Sequence, residues 1–192
     1  MEIPKNKSKP YSYADYRSWP EEGLWELING IPYDMSLAPG RKHQIVLLSL
    51  ARIIADITDK GPCQTFIAPF DVRLAETTGE TASEEEIFTV VQPDLSVFCD
   101  PTKLDEHWAF GAPDLVVVIL SQATSYKDQT IKLELYEKHL VSEYWIVNTD
   151  APWVMVYRMG QDGKFRKPDY YRRGDYILSN VLAEKRFLLM IF

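Results

Sequence analysis

No apolar run in this chain is long enough to cross a membrane. The run Leu115–Leu120 is six residues long, whereas a spanning helix needs about 20. The opening residues MEIPKNKSKP hold no apolar segment, so a secretory leader is not expected and cytoplasmic residence is. Positive charge is in deficit, with Lys+Arg 21 against Asp+Glu 28 and a net charge of -7. This excludes a protein that grips nucleic acid by bulk charge. It does not exclude a nuclease, whose metal centre itself needs carboxylates. Cysteine is scarce. Cys63 and Cys99 cannot build a disulfide framework, and reduced thiols are the expectation. Two cysteines and three scattered histidines offer no zinc-ligand spacing. Glycine is sparse, and the segment Gly160–Gly163 is a turn rather than a phosphate loop. A Gly-x-Ser-x-Gly nucleophile elbow is lacking too, and so are internal repeats.

What remains is ordinary globular composition: 192 residues, 46% hydrophobic and 26% charged. One domain over residues 1–192 is expected, with residues 1–10 as a polar, flexible lead-in. Tyr11 to Trp19 reads as a short helix ending before Pro20. In GLWELINGIPYDM, Asn29-Gly30 between two apolar arms predicts a type I′ hairpin, because both residues tolerate positive φ. Arg41 to Thr58 carries apolar residues at helical spacing, closed by Gly61-Pro62. CQTFIAPFDVRL alternates as one strand bent near Pro69, and Glu76 to Glu86 reads as an exposed acidic loop. VVQPDLSVFCD and GAPDLVVVILS each place Pro-Asp-Leu at the head of a buried strand. SYKDQTIKLELYEKHL reads as one helix with Ser125 as N-cap and Asp128 completing a capping box. SEYWIVNTD and PWVMVYRM are strands joined at Thr149–Pro152. This order implies a mixed α/β (α+β) architecture, a central sheet flanked by helices plus an N-terminal hairpin.

Several residues could carry chemistry, each with a plainer alternative. Asp94 and Asp114 head adjacent-looking buried strands. They either face one cleft, where a cation offsets their burial, or merely cap loop amides. Lys132 lies four residues after Asp128, which suits a solvated helix pair or a lysine aimed at a carboxylate-held metal. His43 opens the long helix, as a structural residue or a site residue. Tyr170, Tyr171 and Tyr176 interleave with Arg172 and Arg173, which fits a nucleic-acid contact or an ordinary edge strand.

Taken in order, the phrases ELINGIPYDM, VQPDLSVF, APDLVVVILSQAT, KDQTIKLELYEKHLVSEYWIVN and VMVYRM resemble the Uma-type family of putative restriction endonucleases. This family is placed in the PD-(D/E)XK nuclease superfamily. The resemblance runs from about Trp25 to Arg158. It implies a restriction-endonuclease-like core and Mg²⁺- or Mn²⁺-assisted hydrolysis of DNA phosphodiesters. It implies Asp94 as the first metal-binding aspartate, with Lys132 and Tyr136 as the helix lysine and tyrosine. Asp114 and His43 match recurrent positions without an assigned role. DNA is the implied partner, and a homodimer would suit cutting of both strands. One departure is sharp. The family phrase usually reads Pro-Asp-Leu-Val-Val-Glu, and its second metal carboxylate is here Val118. Valine cannot ligate a cation. Asp114 is about 13 Å away along the strand, which leaves Glu26, Asp128 and Glu134 as possible replacements. Two functions follow: a metal-dependent endonuclease, or a catalytically dead relative that keeps the fold for binding.

Overall fold

The computed structural model describes residues 9–20, 24–35, 38–75, 82–121, 124–182 and 186–188. Most of the expected lead-in and part of the acidic loop lie outside them. Helix α1 (Tyr13–Tyr16) is capped by Ser12, whose hydroxyl takes the Asp15 amide while Asp15 reaches back to the Ser12 amide. Strands β1 (Trp25–Ile28) and β2 (Ile31–Asp34) form the expected hairpin. Asn29 and Gly30 sit at φ 52 and 74, as its turn requires. Helix α2 (Arg41–Thr58) has the predicted bounds and buries Val46, Leu47, Leu50 and Ile54.

The next segments differ from their sequence reading. CQTFIAPFDVRL is two strands, β3 (Gln64–Ile67) and β4 (Asp71–Arg73), in different sheets. In VVQPDLSVFCD, Pro-Asp-Leu does head a strand, β6 (Leu95–Phe98), and a further short strand not read from sequence, β5 (Val90–Val91), precedes it in the other sheet. Because β3 pairs with β6 and β4 with β5, both antiparallel, the four form one long ribbon bent across two sheets. A short strand, β7 (Trp108–Phe110), was not anticipated. Then follow β8 (Leu115–Ile119), α3 (Ser125–Gln129), α4 (Ile131–Lys138), β9 (Glu143–Asn148) and β10 (Trp153–Arg158). Strands β11 (Asp169–Arg172), β12 (Tyr176–Leu178) and β13 (Arg186–Leu188) complete the described chain. The single helix expected over 125–140 is broken at Thr130 (φ -127, ψ -76), and the N-cap is Thr124 rather than Ser125.

One sheet runs β2-β1-β5-β4-β7 and the other β11-β10-β9-β8-β6-β3. The second is mixed, with β8 and β9 parallel and the other pairs antiparallel. Helix α2 covers one face of it, against Val97, Val117, Trp145 and Val147. On the other face Val116, Val118, Tyr144 and Ile146 pack with α4 and with Ile28, Val72 and Val91 of the first sheet. The expected fold class, mixed α/β with helices flanking the sheet, is what the structure has. No described helix is long and apolar enough to cross a membrane.

The cysteines are a correction. The β3–β6 register brings Cys63 and Cys99 opposite one another, with Cα atoms 3.8 Å apart, and they are disulfide-bonded rather than reduced.

Candidate active site

The bend of the ribbon creates the site. Asp94 stands immediately before β6, where the chain passes from one sheet to the other, and its carbonyl accepts the Ala68 amide (3.2 Å). Its Oδ2 accepts the N–H of Ile119 at 2.6 Å, tying the corner to the end of β8. Its Oδ1 lies 3.1 Å from Nε2 of His43, in the first turn of α2. The side chains are 22% and 13% exposed, so this acid–imidazole pair reaches solvent. Among the described residues Nδ1 of His43 has no hydrogen-bond partner. That nitrogen is buried, so the solvent-facing part of the pair is the contact between Nε2 and the Asp94 carboxylate.

Beside this pair lies a buried charge cluster. Glu26, fully buried on β1, receives Lys127 Nζ on Oε2 (2.8 Å) and Lys132 Nζ on Oε1 (2.7 Å). Oε1 also accepts the Gln92 amide at 3.1 Å. Lys132 lies 3.6 Å from Asp128 as well. Burial alone would push the Glu26 carboxyl up, but Lys132 and Lys127 outweigh it and hold it below the usual carboxylate range. Burial likewise works against the Lys132 ammonium, and Glu26, Tyr136 and Asp128 reverse this, raising its pKa. Asp128 is raised, chiefly by burial, with Lys132 opposing. Lys127 and Lys132 are five residues apart, or about 140° out of phase on a continuous helix. The break at Thr130 lets both reach Glu26. Tyr136, one turn after Lys132, is fully buried. Its hydroxyl has no partner among the described residues, and burial raises its pKa.

The comparisons with known proteins bear on this corner. The family model described as "Uma2: Putative restriction endonuclease" matches residues 13–189. The chain belongs to this family. An uncharacterized protein of Synechocystis is 25% identical over 193 residues, covering 97% of this chain and 90% of that protein. The crystal structure of a putative nuclease belonging to DUF820, from Anabaena variabilis, superposes with a TM-score of 0.72 at 19% identity. That match covers 94% of this chain and 96% of that one, and it speaks for the shared fold.

Within this Uma2 fold, the residues singled out from sequence separate. Asp94 and His43 meet. Lys132 and Tyr136 lie in the adjoining buried cluster. Asp114 does not join them, so of the two arrangements open for these aspartates the shared cleft is not the one found. The β6–β8 register is antiparallel, so Asp114 is at the opposite end of the sheet, and its Oδ2 accepts the Cys99 amide at 2.7 Å. The plainer reading of that aspartate, a cap on loop amides, describes its contact. Lys127 was not anticipated, because its approach to Glu26 depends on the helix break.

The donors present do not fit a divalent-cation centre. A hard cation wants several carboxylate or carbonyl oxygens. Here Asp94 has one oxygen on a backbone amide and the other beside His43. Val118, 2% exposed, supplies no donor. Glu134 is exposed on α4, Asp128 pairs with Lys132, and both Glu26 oxygens are held by ammonium groups. Among the described residues no group of three or more His, Cys, Asp or Glu side chains could hold a metal.

Proposed function

We propose that this chain is a nuclease-fold protein that binds DNA without hydrolysing it, metal chemistry having been lost with the second carboxylate. The observation that carries this reading is Val118. It stands across the strand pair from Asp94, packed among Val116, Ile146 and Met155. The two lysines support it. In a working centre an anionic carboxylate pair would face the cation, but Glu26 is committed to Lys127 and Lys132. Membership in an endonuclease family makes DNA the ligand to test.

A second reading, a hydrolysing enzyme using Mg²⁺ or Mn²⁺, is favoured by Asp94 and His43, which keep solvent access. Calorimetric titration with Mn²⁺, beside plasmid nicking, separates the two. The expected result is no saturable ion binding and no nicking by the native chain. Val118→Glu should bind one ion per chain and nick DNA, and Asp94→Ala in that background should abolish both. One ion bound by the native chain and lost in Asp94→Ala would overturn the first reading and establish the second.

A further inference from the structure

We infer that duplex DNA lies along the end of the six-stranded sheet that carries Asp94, with its backbone held by Arg172 and Arg173 at the β11–β12 turn and by Arg41 and Lys42 at the head of α2. This rests on the DNA-binding reading above and assigns it a surface. The register places these residues together. Leu95 pairs with Val117, Ile119 with Val147, Asn148 with Trp153, and Trp153 with Arg172. Asp94 and Arg172 therefore sit at the same end of the sheet, four strand steps apart. That is about 19 Å at the usual strand spacing, or about five to six base-pair rises of duplex. The head of α2 joins the same end. His43 approaches Asp94, and Lys42 reaches Asp150 in the β9–β10 turn at 3.5 Å.

The chemistry suits phosphates. Asp175 accepts the Arg172 amide at 2.6 Å, its own amide donates to Arg172 O, and Gly174 takes φ +89, so a tight turn presents two guanidinium groups at its tip. Arg172, Arg173 and Arg41 are exposed, and among the described residues their side chains form no ion pair or hydrogen bond. Lys42 and Asp150 are 67% and 73% exposed, so their pairing is weak and a phosphate can replace the carboxylate. Tyr170 and Tyr176, at 61% and 60% exposure, flank the turn with hydroxyls able to donate to phosphate oxygens. Four cations here face three aspartates, Asp94, Asp150 and Asp175, on a chain of net charge -7, and Asp94 has one oxygen on a backbone amide and the other beside His43. The negative remainder repels DNA and leaves this end as the approach. The opposite end of the sheet makes the contrast. Its basic residues include Lys164 and Arg166, which are already paired with Glu137 and Asp162.

The test is fluorescence anisotropy of a labelled duplex of about 24 base pairs, spanning the salt range over which backbone contacts are lost. Three proteins are compared: the native chain, Arg172→Glu/Arg173→Glu, and Arg166→Glu/Lys167→Glu from the opposite end. The turn variant should lose about 30-fold or more in affinity at low salt, with a salt slope smaller by about two charges. The opposite-end variant should bind as the native chain does. Arg172→Ala/Arg173→Ala should show the same loss in smaller measure. Equal losses in both charge-reversed variants, no loss at the turn, or a preference for single-stranded over duplex DNA would overturn this surface while DNA binding stands. A native chain that binds no DNA would overturn the DNA-binding reading and this surface with it.

Discussion

Glu26→Gln should destabilise the protein by about 3–5 kcal/mol, the range for removing one partner of a buried ion pair. At this chain length that is a fall in Tm of roughly 10 °C. The cause is what remains. Lys127 and Lys132 would keep two ammonium groups in a site where Glu26 is wholly enclosed and Lys132 is 3% exposed. Asp128, 3.6 Å from Lys132, cannot compensate for both. The loss should shrink as pH rises, because an unpaired buried ammonium can shed its proton. In the native chain the dependence lies in the acid range instead. The Glu26 pKa lies below its unfolded value, so its contribution is complete above that value and is lost as pH falls through the folded one. Adding Lys127→Met and Lys132→Met to Glu26→Gln should recover most of the stability, since an apolar replacement of a whole buried ionic group is often neutral. Urea unfolding of the three proteins at two pH values measures all of this. A Glu26→Gln loss under 1 kcal/mol would mean that the lysines find other partners.

Trp145→Ala should cost a similar amount, about 3–5 kcal/mol. Trp145 is fully buried in the core beneath α2. Its indole N–H donates to Glu143 Oε2 at 3.0 Å. Glu143 also takes Ser179 Oγ and the Asn180 amide, holding the end of β12 against β9. Truncation therefore opens a cavity and removes one donor from a buried carboxylate. Trp145→Phe keeps most of the packing and loses the hydrogen bond, for about 1 kcal/mol. Denaturant midpoints for the two variants separate packing from polar loss. Equal values would mean that the polar contact dominates.

Local chemistry made parts of the fold legible. Asn29-Gly30 specified its hairpin because positive φ is a property of those two residues. Helix α2 was legible because its apolar spacing and its Gly61-Pro62 stop are contiguous in the chain. The first arm of the ribbon was read as one bent strand, since alternation persists through a corner and only the neighbouring strands change. The Thr130 break was hidden for a related reason: what it achieves, two lysines on one carboxylate, involves a residue a hundred positions away. At the site, Asp94, His43, Lys132 and Tyr136 were named from sequence, but the meeting of Asp94 with His43 and the commitment of Glu26 are products of folding. The choice between the two readings of Asp114 was not legible, because Pro-Asp-Leu opens both strands while antiparallel pairing sends their heads to opposite ends. The disulfide followed from register alone.

The bent ribbon works as a knee. Its two arms, β3–β4 and β5–β6, flex from one sheet into the other at the same level, and Ala68 clasps Asp94 across the joint. Above the knee the arms are stitched to β1 and β7, and below it to β8. A joint anchored in two slabs does not depend on a metal ion to hold its shape. A substitution at a neighbour such as Val118 therefore changes what surrounds Asp94, while the frame that presents that carboxylate to solvent stays in place.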